Sequence, residues 1–247
     1  MSTTIPGTCI EFDDVVAGYK EFMILNNLSF RVKRGSITLL IGPNGAGKST
    51  VLKTLFGLLK PRQGRVWLDG TDVTGADPKV LLKHGIAFVP QGRNLFAQLT
   101  VWQNLELGGI TLGARTTHER IPEVLELFPR VKERIHSQAS ALSGGEQKQL
   151  EIGRALLLRP KVLLIDEPSI GLSPIVVQDV FKLLRRLAGE GTTILMVEQN
   201  VKSALKVSDE AIALESGRLV LHKPAGELLA DPHIERLFLG AAAPKAA

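Results

Sequence analysis

The chain has 247 residues, 44% hydrophobic and 22% charged; at roughly 150 residues per domain, that predicts one large domain or two intimate lobes. Lys and Arg number 30 against 25 Asp and Glu, a mild +5 excess spread along the chain with only 5% aromatics, which argues against a nucleic-acid-binding surface. One cysteine, Cys9, excludes an intramolecular disulfide and an all-cysteine zinc site, and histidines scattered at 84, 118, 136, 222 and 233 disfavour a His-built one. Residues 9–16 and 28–32 alternate partially, with breaks at Gly18 and at Asn26 and Asn27, and predict two antiparallel strands with turns at those breaks. Residues 37–41 are continuously apolar and of strand length, suited to a strand covered on both faces. After a glycine-rich turn, 48–59 reads as a helix stopped by Pro61 and Gly64, and short strands follow at 65–68 and 86–89.

From Thr100 the period becomes helical, through 102–107, 123–128 and 145–158. Residues 162–165 form another apolar strand, 174–187 an amphipathic helix with Pro at its start, 193–197 a strand and 201–207 a helix. Residues 211–214 and 218–221 make a hairpin around Gly217. Strands alternating with helices imply a parallel sheet, with the helices of about 95–158 as an inserted lobe. The tail from Ala241 to Ala247 is low in complexity and is expected to fray. No run reaches the ~18 apolar residues that span a bilayer, because Arg159, Pro160, Lys161 and Asp166 interrupt the most apolar stretch. The N-terminus lacks the basic start and apolar run of a secretory signal, so a soluble, intracellular protein is expected.

Gly42, Pro43, Asn44, Gly45, Ala46, Gly47, Lys48 and Ser49 match G-x-x-x-x-G-K-[ST] in full, between the 37–41 strand and the next helix. The glycines let successive N–H groups converge on phosphate oxygens, and the helix N-terminus adds positive potential. Lys48 is placed for the β- and γ-phosphates, the Ser49 hydroxyl for Mg²⁺ and Thr50 for the α-phosphate. A second constellation ends the 162–165 strand. There Asp166 emerges at the sheet edge where open α/β sheets hold ligands, placed to meet Mg²⁺ through a water or from behind its direct ligands, and Glu167 is placed to polarise a water for attack on the γ-phosphate. The third is Ser143, Gly144, Gly145 and Glu146 ahead of a helix. A plain N-cap would account for it by itself, since Ser and Gly are favoured there. A protein that already cradles a triphosphate has no obvious need of a second anion-ready helix terminus, unless it caps the nucleotide of a partner in a two-fold dimer.

In this order and spacing, these motifs and Gln91 resemble an ATP-binding cassette nucleotide-binding domain, from about Ile10 to Leu239. The resemblance implies an α/β fold: a P-loop NTPase (RecA-like) core with a mixed sheet, an N-terminal antiparallel β subdomain and an inserted α-helical subdomain. It implies a single domain over 8–240, with core at 8–94 and 159–240 and helical lobe at 95–158. It assigns Tyr19 to stacking on adenine and Gln91 to Mg²⁺ or the attacking water, at the junction of core and helical lobe. Residues 169–173 occupy the loop that touches the opposing subunit, although their ending departs from the usual small-residue-Leu-Asp pattern. At the place where cassettes usually carry a γ-phosphate-contacting His stands Gln199, whose amide can donate a hydrogen bond but cannot become cationic near neutral pH.

Residues 89–96 (VPQGRNLF), 99–105 (LTVWQNL), 197–200 (VEQN) and 229–240 (LADPHIERLFLG) resemble more narrowly the smaller ATP-binding subunit of bacterial branched-chain amino-acid importers. Cassettes for urea or short amides and for lipopolysaccharide export share parts of this text. The resemblance implies an ATPase that uses ATP and Mg²⁺, and a second cassette subunit as partner, a different chain in the transporter and a second copy when isolated. It further implies two membrane-embedded permease subunits, a periplasmic binding protein acting indirectly, and a cytoplasmic position on the inner face of the cell membrane. Soluble cassette proteins of translation or DNA repair carry two cassettes or a long coiled-coil insertion, and P-loop GTPases an Asn-Lys-x-Asp motif; this sequence has none of these.

Overall fold

The computed structural model describes residues 7–230, so the 241–247 tail and the 231–240 part of the C-terminal resemblance lie outside the described residues. The chain begins with strands β1 (Thr8–Tyr19) and β2 (Phe22–Lys33), paired antiparallel. They turn at Lys20, which takes a positive φ of 52°, and not at the predicted breaks. Gly18 lies inside β1. Asn26 and Asn27 form a bulge inside β2, where pairing steps from Val15 with Leu28 to Ala17 with Leu25 and Asn27 adopts φ 50°. Asparagine tolerates the left-handed conformation equally in a turn and in a bulge, so composition could not separate the two.

Strand β3 (Ile37–Ile41) has the predicted bounds and leads through the glycine-rich turn into α1 (Lys48–Leu55). That helix stops short of the predicted Leu59. Gly57 takes φ 75°, its N–H bonds to Thr54 O at 3.1 Å, and Leu58 N–H reaches Lys53 O at 2.9 Å, a Schellman closure. Strands β4 (Gln63–Leu68) and β5 (Thr71–Asp72) then complete a four-stranded antiparallel sheet in the order β2-β1-β4-β5. Next come α2 (Pro78–Lys83), absent from the prediction and capped by Asp77, and β6 (Ile86–Val89).

The helical stretch comprises α3 (Val101–Gly108), α4 (Ala114–Leu125), α5 (Pro129–Glu133) and α6 (Gly144–Leu156). Helix α4 starts earlier than predicted and ends before Phe128, because Pro129 opens a separate turn of helix. Strand β7 (Val162–Asp166), helix α7 (Pro174–Gly189), strand β8 (Thr193–Val197) and helix α8 (Val201–Leu205) follow. Strands β9 (Glu210–Glu215) and β10 (Arg218–Pro224) make the expected hairpin, and α9 (Ala225–Leu229) closes the described chain.

The second sheet has six strands in the order β10-β9-β3-β8-β7-β6, parallel except for the antiparallel β9–β10 pair. Its central strands are buried on both faces and divide their side chains strictly. Leu39, Leu163, Ile165, Ile194, Met196 and Ala211 face a core shared with α3, α4, α6 and α7. Leu40, Leu164, Leu195, Val197 and Ile212 face the other core, built around α1 and the antiparallel sheet. Two covered faces explain why these strands read as unbroken apolar runs, and they leave the C-terminal edge of the sheet as the place where polar groups converge.

Candidate nucleotide site

The turn between β3 and α1 is shaped by its neighbours. Gly42 (φ 147°) has no room for a side chain, since a Cβ there would lie 2.2 Å from Leu214 O, whereas a Cβ on Gly45 would meet nothing within 4 Å. The exposed rim of Pro43, Asn44 and Gly45 therefore leaves open backbone above a fixed base of Gly42, Ala46 and Gly47. Lys48 is buried at the start of α1, and its ammonium donates to Gly42 O at 2.8 Å and Pro43 O at 3.0 Å. Burial holds its pKa below the usual lysine range, opposed by the nearby Glu167 and Asp166. Ser49 is half-buried and Thr50 buried in the same turn of helix.

Asp166 ends β7 beside the Ser49 side chain, which draws its pKa down against the effect of burial. Its Oδ1 is buried without a partner, and desolvation pushes its carboxyl above the usual carboxylate range. An orphaned carboxylate oxygen beside a helix-start hydroxyl fits a hard divalent cation that takes its remaining ligands from water and phosphate. Among the described residues no group of three or more His, Cys, Asp or Glu could hold a metal without such help.

Glu167 follows in the left-handed region at φ 51°, pinned by its N–H to Val197 O at 2.9 Å. That conformation is uncommon for a non-glycine residue and turns the chain sharply at the strand end. Both carboxylate oxygens accept side-chain amides: Gln91 Nε2 donates to Oε2 at 2.6 Å and Gln199 Nε2 to Oε1 at 2.7 Å. Residues far apart in the chain thus meet on one buried acid, because β6, β7 and β8 are adjacent parallel strands.

Tyr19 ends β1 with its ring 46% exposed, a position open to stacking rather than part of the core, and the Lys53 ammonium lies 6.0 Å above it. Ser143 caps α6 in a full capping box: Glu146 N–H donates to Ser143 Oγ at 3.3 Å, and Ser143 N–H to Glu146 Oε2 at 2.7 Å. Gly144 and Gly145 form its first turn, beside Gly171 and Val176. Among the described residues no hydrogen bond or ion pair joins 143–146 to 42–50. The structure thus gathers Lys48, Ser49, Gln91, Asp166, Glu167 and Gln199 and leaves the Ser143 terminus outside that cluster.

Sequence reasoning missed the brace behind the phosphate-type loop. Gly217 N–H donates to Ala46 O at 3.1 Å, Asn26 N–H to Gly217 O at 2.9 Å, and the Asn26 amide to Ser216 O at 3.0 Å. Gly217 was legible only as a hairpin turn; its contacts come from β10, β2 and the loop meeting in space.

The family model for ABC transporters matches residues 25–170, which include the Gly42 loop, Gln91, Ser143 and Glu167. The high-affinity branched-chain amino acid transport ATP-binding protein BraG of Pseudomonas aeruginosa is 44% identical over 231 residues, 94% of this chain and 99% of that protein. This chain belongs to the ABC transporter family. The probable branched-chain amino acid transport ATP-binding protein LivF of Archaeoglobus fulgidus is 41% identical over 225 residues, 91% of this chain and 95% of that one. Among solved structures, the ADP conformation of an ATP-binding cassette of an ABC transporter superposes with a TM-score of 0.85 at 29% identity, covering 94% of this chain and 99% of the other. The chain is thus a nucleotide-binding ATPase cassette, and its two sheets and helical layer form the P-loop NTPase core, antiparallel sheet and helices of that fold. Among the described residues, no helix of this ABC cassette is long and apolar enough to cross a membrane.

Proposed function

We propose that this cassette is the ATP-hydrolysing subunit of an importer that takes up branched-chain amino acids through partner permease subunits. The observation behind the chemistry is the Glu167 carboxylate held between the Gln91 and Gln199 amides, next to Lys48 and the orphaned Asp166. The support for the cargo is the likeness to BraG and LivF over nearly the whole chain.

Backbone N–H groups of 42–50 and the Lys48 ammonium hold the phosphates, and Tyr19 stacks on the base. Ser49, Asp166 and Gln91 would hold Mg²⁺, which would neutralise charge on the phosphates. Glu167 orients and accepts a proton from the water that attacks the γ-phosphate, with Gln91 and Gln199 fixing its carboxylate. Ser143, Gly144, Gly145 and Glu146 complete the site of a second cassette, a different chain in the transporter and a second copy in isolation.

The permease bears on a groove of about 320 Å³ that includes Phe88, Leu107, Ile110 and Arg154 among its walls. The strip after Gln91 runs along it and is tied to α6: Asn94 N–H donates to Glu151 Oε1 at 2.7 Å, and Arg154 Nη1 to Asn94 O at 2.6 Å. Pressure in the groove therefore reaches both Gln91 and the helix that begins at Ser143. The reading places the protein on the inner face of the cell membrane, with a periplasmic binding protein delivering cargo on the far side.

Two measurements test it. Glu167→Gln is expected to lower ATP turnover by about 10²–10³-fold while nucleotide still binds and holds two cassettes together. Co-purified with its membrane subunits, the wild type is expected to energise uptake of leucine, isoleucine or valine into vesicles. Turnover unaffected by Glu167→Gln overturns the chemistry, and uptake of a different solute class overturns the cargo.

A further inference from the structure

Residue Glu198 enters none of the steps above, yet it is only 3% exposed. Its carboxylate is filled by neutral donors: Ser169 N–H at 2.7 Å on Oε1, with Ser169 Oγ–H at 2.8 Å and Asn200 N–H at 3.2 Å on Oε2. Among the described residues no cation pairs with it; burying such an acid is unfavourable, and a role confined to capping would not need it, because the Asn200 side chain already caps α8 by accepting from Ser203 N–H. What the acid joins is informative. Ser169 lies two residues after Glu167, at the start of a loop that runs through the exposed Ile170 and through Gly171 to α7, beside Gly144 at the start of α6. Gln199, next to Glu198, holds the other oxygen of Glu167. One carboxylate therefore binds the loop that leaves Glu167 to the strand end that supplies one of its two amides.

We propose that Glu198 is a positioning residue that clamps the 169–173 loop to the end of β8. A body pressing on Ile170 and the α6 terminus then moves Glu167 and Gln199 together rather than pulling them apart. The inference rests on the ATP-hydrolysis reading and adds to it a route by which subunit association sets the catalytic carboxylate.

The test is a double-mutant cycle of Ser169→Ala and Glu198→Gln in the full chain, measuring kcat and KM for ATP with thermal midpoints alongside. Ser169→Ala removes a single half-exposed hydroxyl and is expected to lower kcat about three- to tenfold, with KM within about twofold and the midpoint within about 2 °C. Glu198→Gln is expected to lower kcat about tenfold or more, and the double variant to match it rather than multiply the two losses. If Glu198→Gln fails to fold, Ser169→Ala decides alone. Wild-type kcat in Ser169→Ala, multiplied losses, or losses that follow the thermal midpoint overturn the clamp. Wild-type protein without ATP turnover overturns the clamp and the function together. Turnover that Glu167→Gln abolishes but the cycle leaves untouched removes the clamp alone.

Discussion

Glu167 is surrounded by amides where a cassette more often offers an imidazole. Gln199 donates to Oε1 at 2.7 Å and does not titrate, so no His at this position switches charge across neutral pH. Turnover of the wild type is expected to vary by less than about twofold between pH 6 and 8. Gln199→His is expected to raise it and to add a step centred near ~6.5, faster on the acidic side where the imidazolium is present. Rate profiles over that range check both, and a lower rate at every pH refutes the assignment. Asp166 makes a second prediction. Its folded pKa lies above the unfolded value of 3.8 through desolvation, so the folded state binds the proton more tightly. The stability that proton provides is full below pH 3.8 and is lost as pH rises through the folded pKa, and the ionised carboxyl would keep an Oδ1 with no partner to offset its charge. Asp166→Asn, which removes the charge from a buried oxygen without a partner, is therefore expected to stabilise the nucleotide-free protein at pH 7, by roughly 1 kcal/mol or about 2–4 °C, and to shrink the stabilisation given by Mg²⁺ with ATP. Melting curves with and without nucleotide show whether the two effects have these opposite signs.

At the scale of elements, legibility followed the number of faces an element buries. Strands β3, β6 and β8 came out with their full bounds, because strands covered on both sides have no polar period to blur them. Helix α1 was read four residues too long. Phe56, Leu58 and Leu59 continue its apolar pattern, and only the left-handed Gly57 ends it, where a Cβ would lie 2.2 Å from Ala76 O. The bulge at Asn27 and the helices α2 and α5 were lost because short segments give no period to count. The turn at Gly217 links elements that the sequence leaves separate: a Cβ there would fall 1.7 Å from Ile24 O, and its N–H holds Ala46 in the phosphate loop. Gly217→Ala is expected to cost about 2–4 kcal/mol and to weaken nucleotide binding more than it changes turnover of the bound complex. Thermal melts with ATP titrations decide it; unchanged affinity in a folded variant would show that the turn does not brace the loop.

At the scale of the molecule, the site is open on one side. Lys48, Asp166 and Glu167 gather at the C-terminal edge of the large sheet, while the Ser143 terminus ends the helical layer and makes no bond to the loop of its own chain. A two-fold partner would bring one to the other. In a chain carrying Gly45→Cys and Ser143→Cys, a disulfide between copies is expected under saturating ATP and not without it. The space around Gly45 admits a side chain, at the cost of the backbone strain that its φ of 83° imposes on any residue but glycine, and the native Cys9 does not interfere, because burial raises its thiol pKa to about 11. Gel mobility with and without reductant reads the result, and no bridge with every mate supplied refutes the shared site.

By itself the sequence determined the glycine-rich turn before α1, the acidic strand end, the capping terminus at Ser143 and the succession of core strands along the chain. Each of these is local, a matter of which residue follows which within one element or one turn. Only the tertiary structure decided that Gln91 and Gln199 share one carboxylate, that Gly217 supports Ala46 and that Glu198 grips Ser169. Those contacts join residues 29 to 171 positions apart, with β6 and β8 brought either side of β7 by crossovers, and no pattern along a chain records which strands become neighbours.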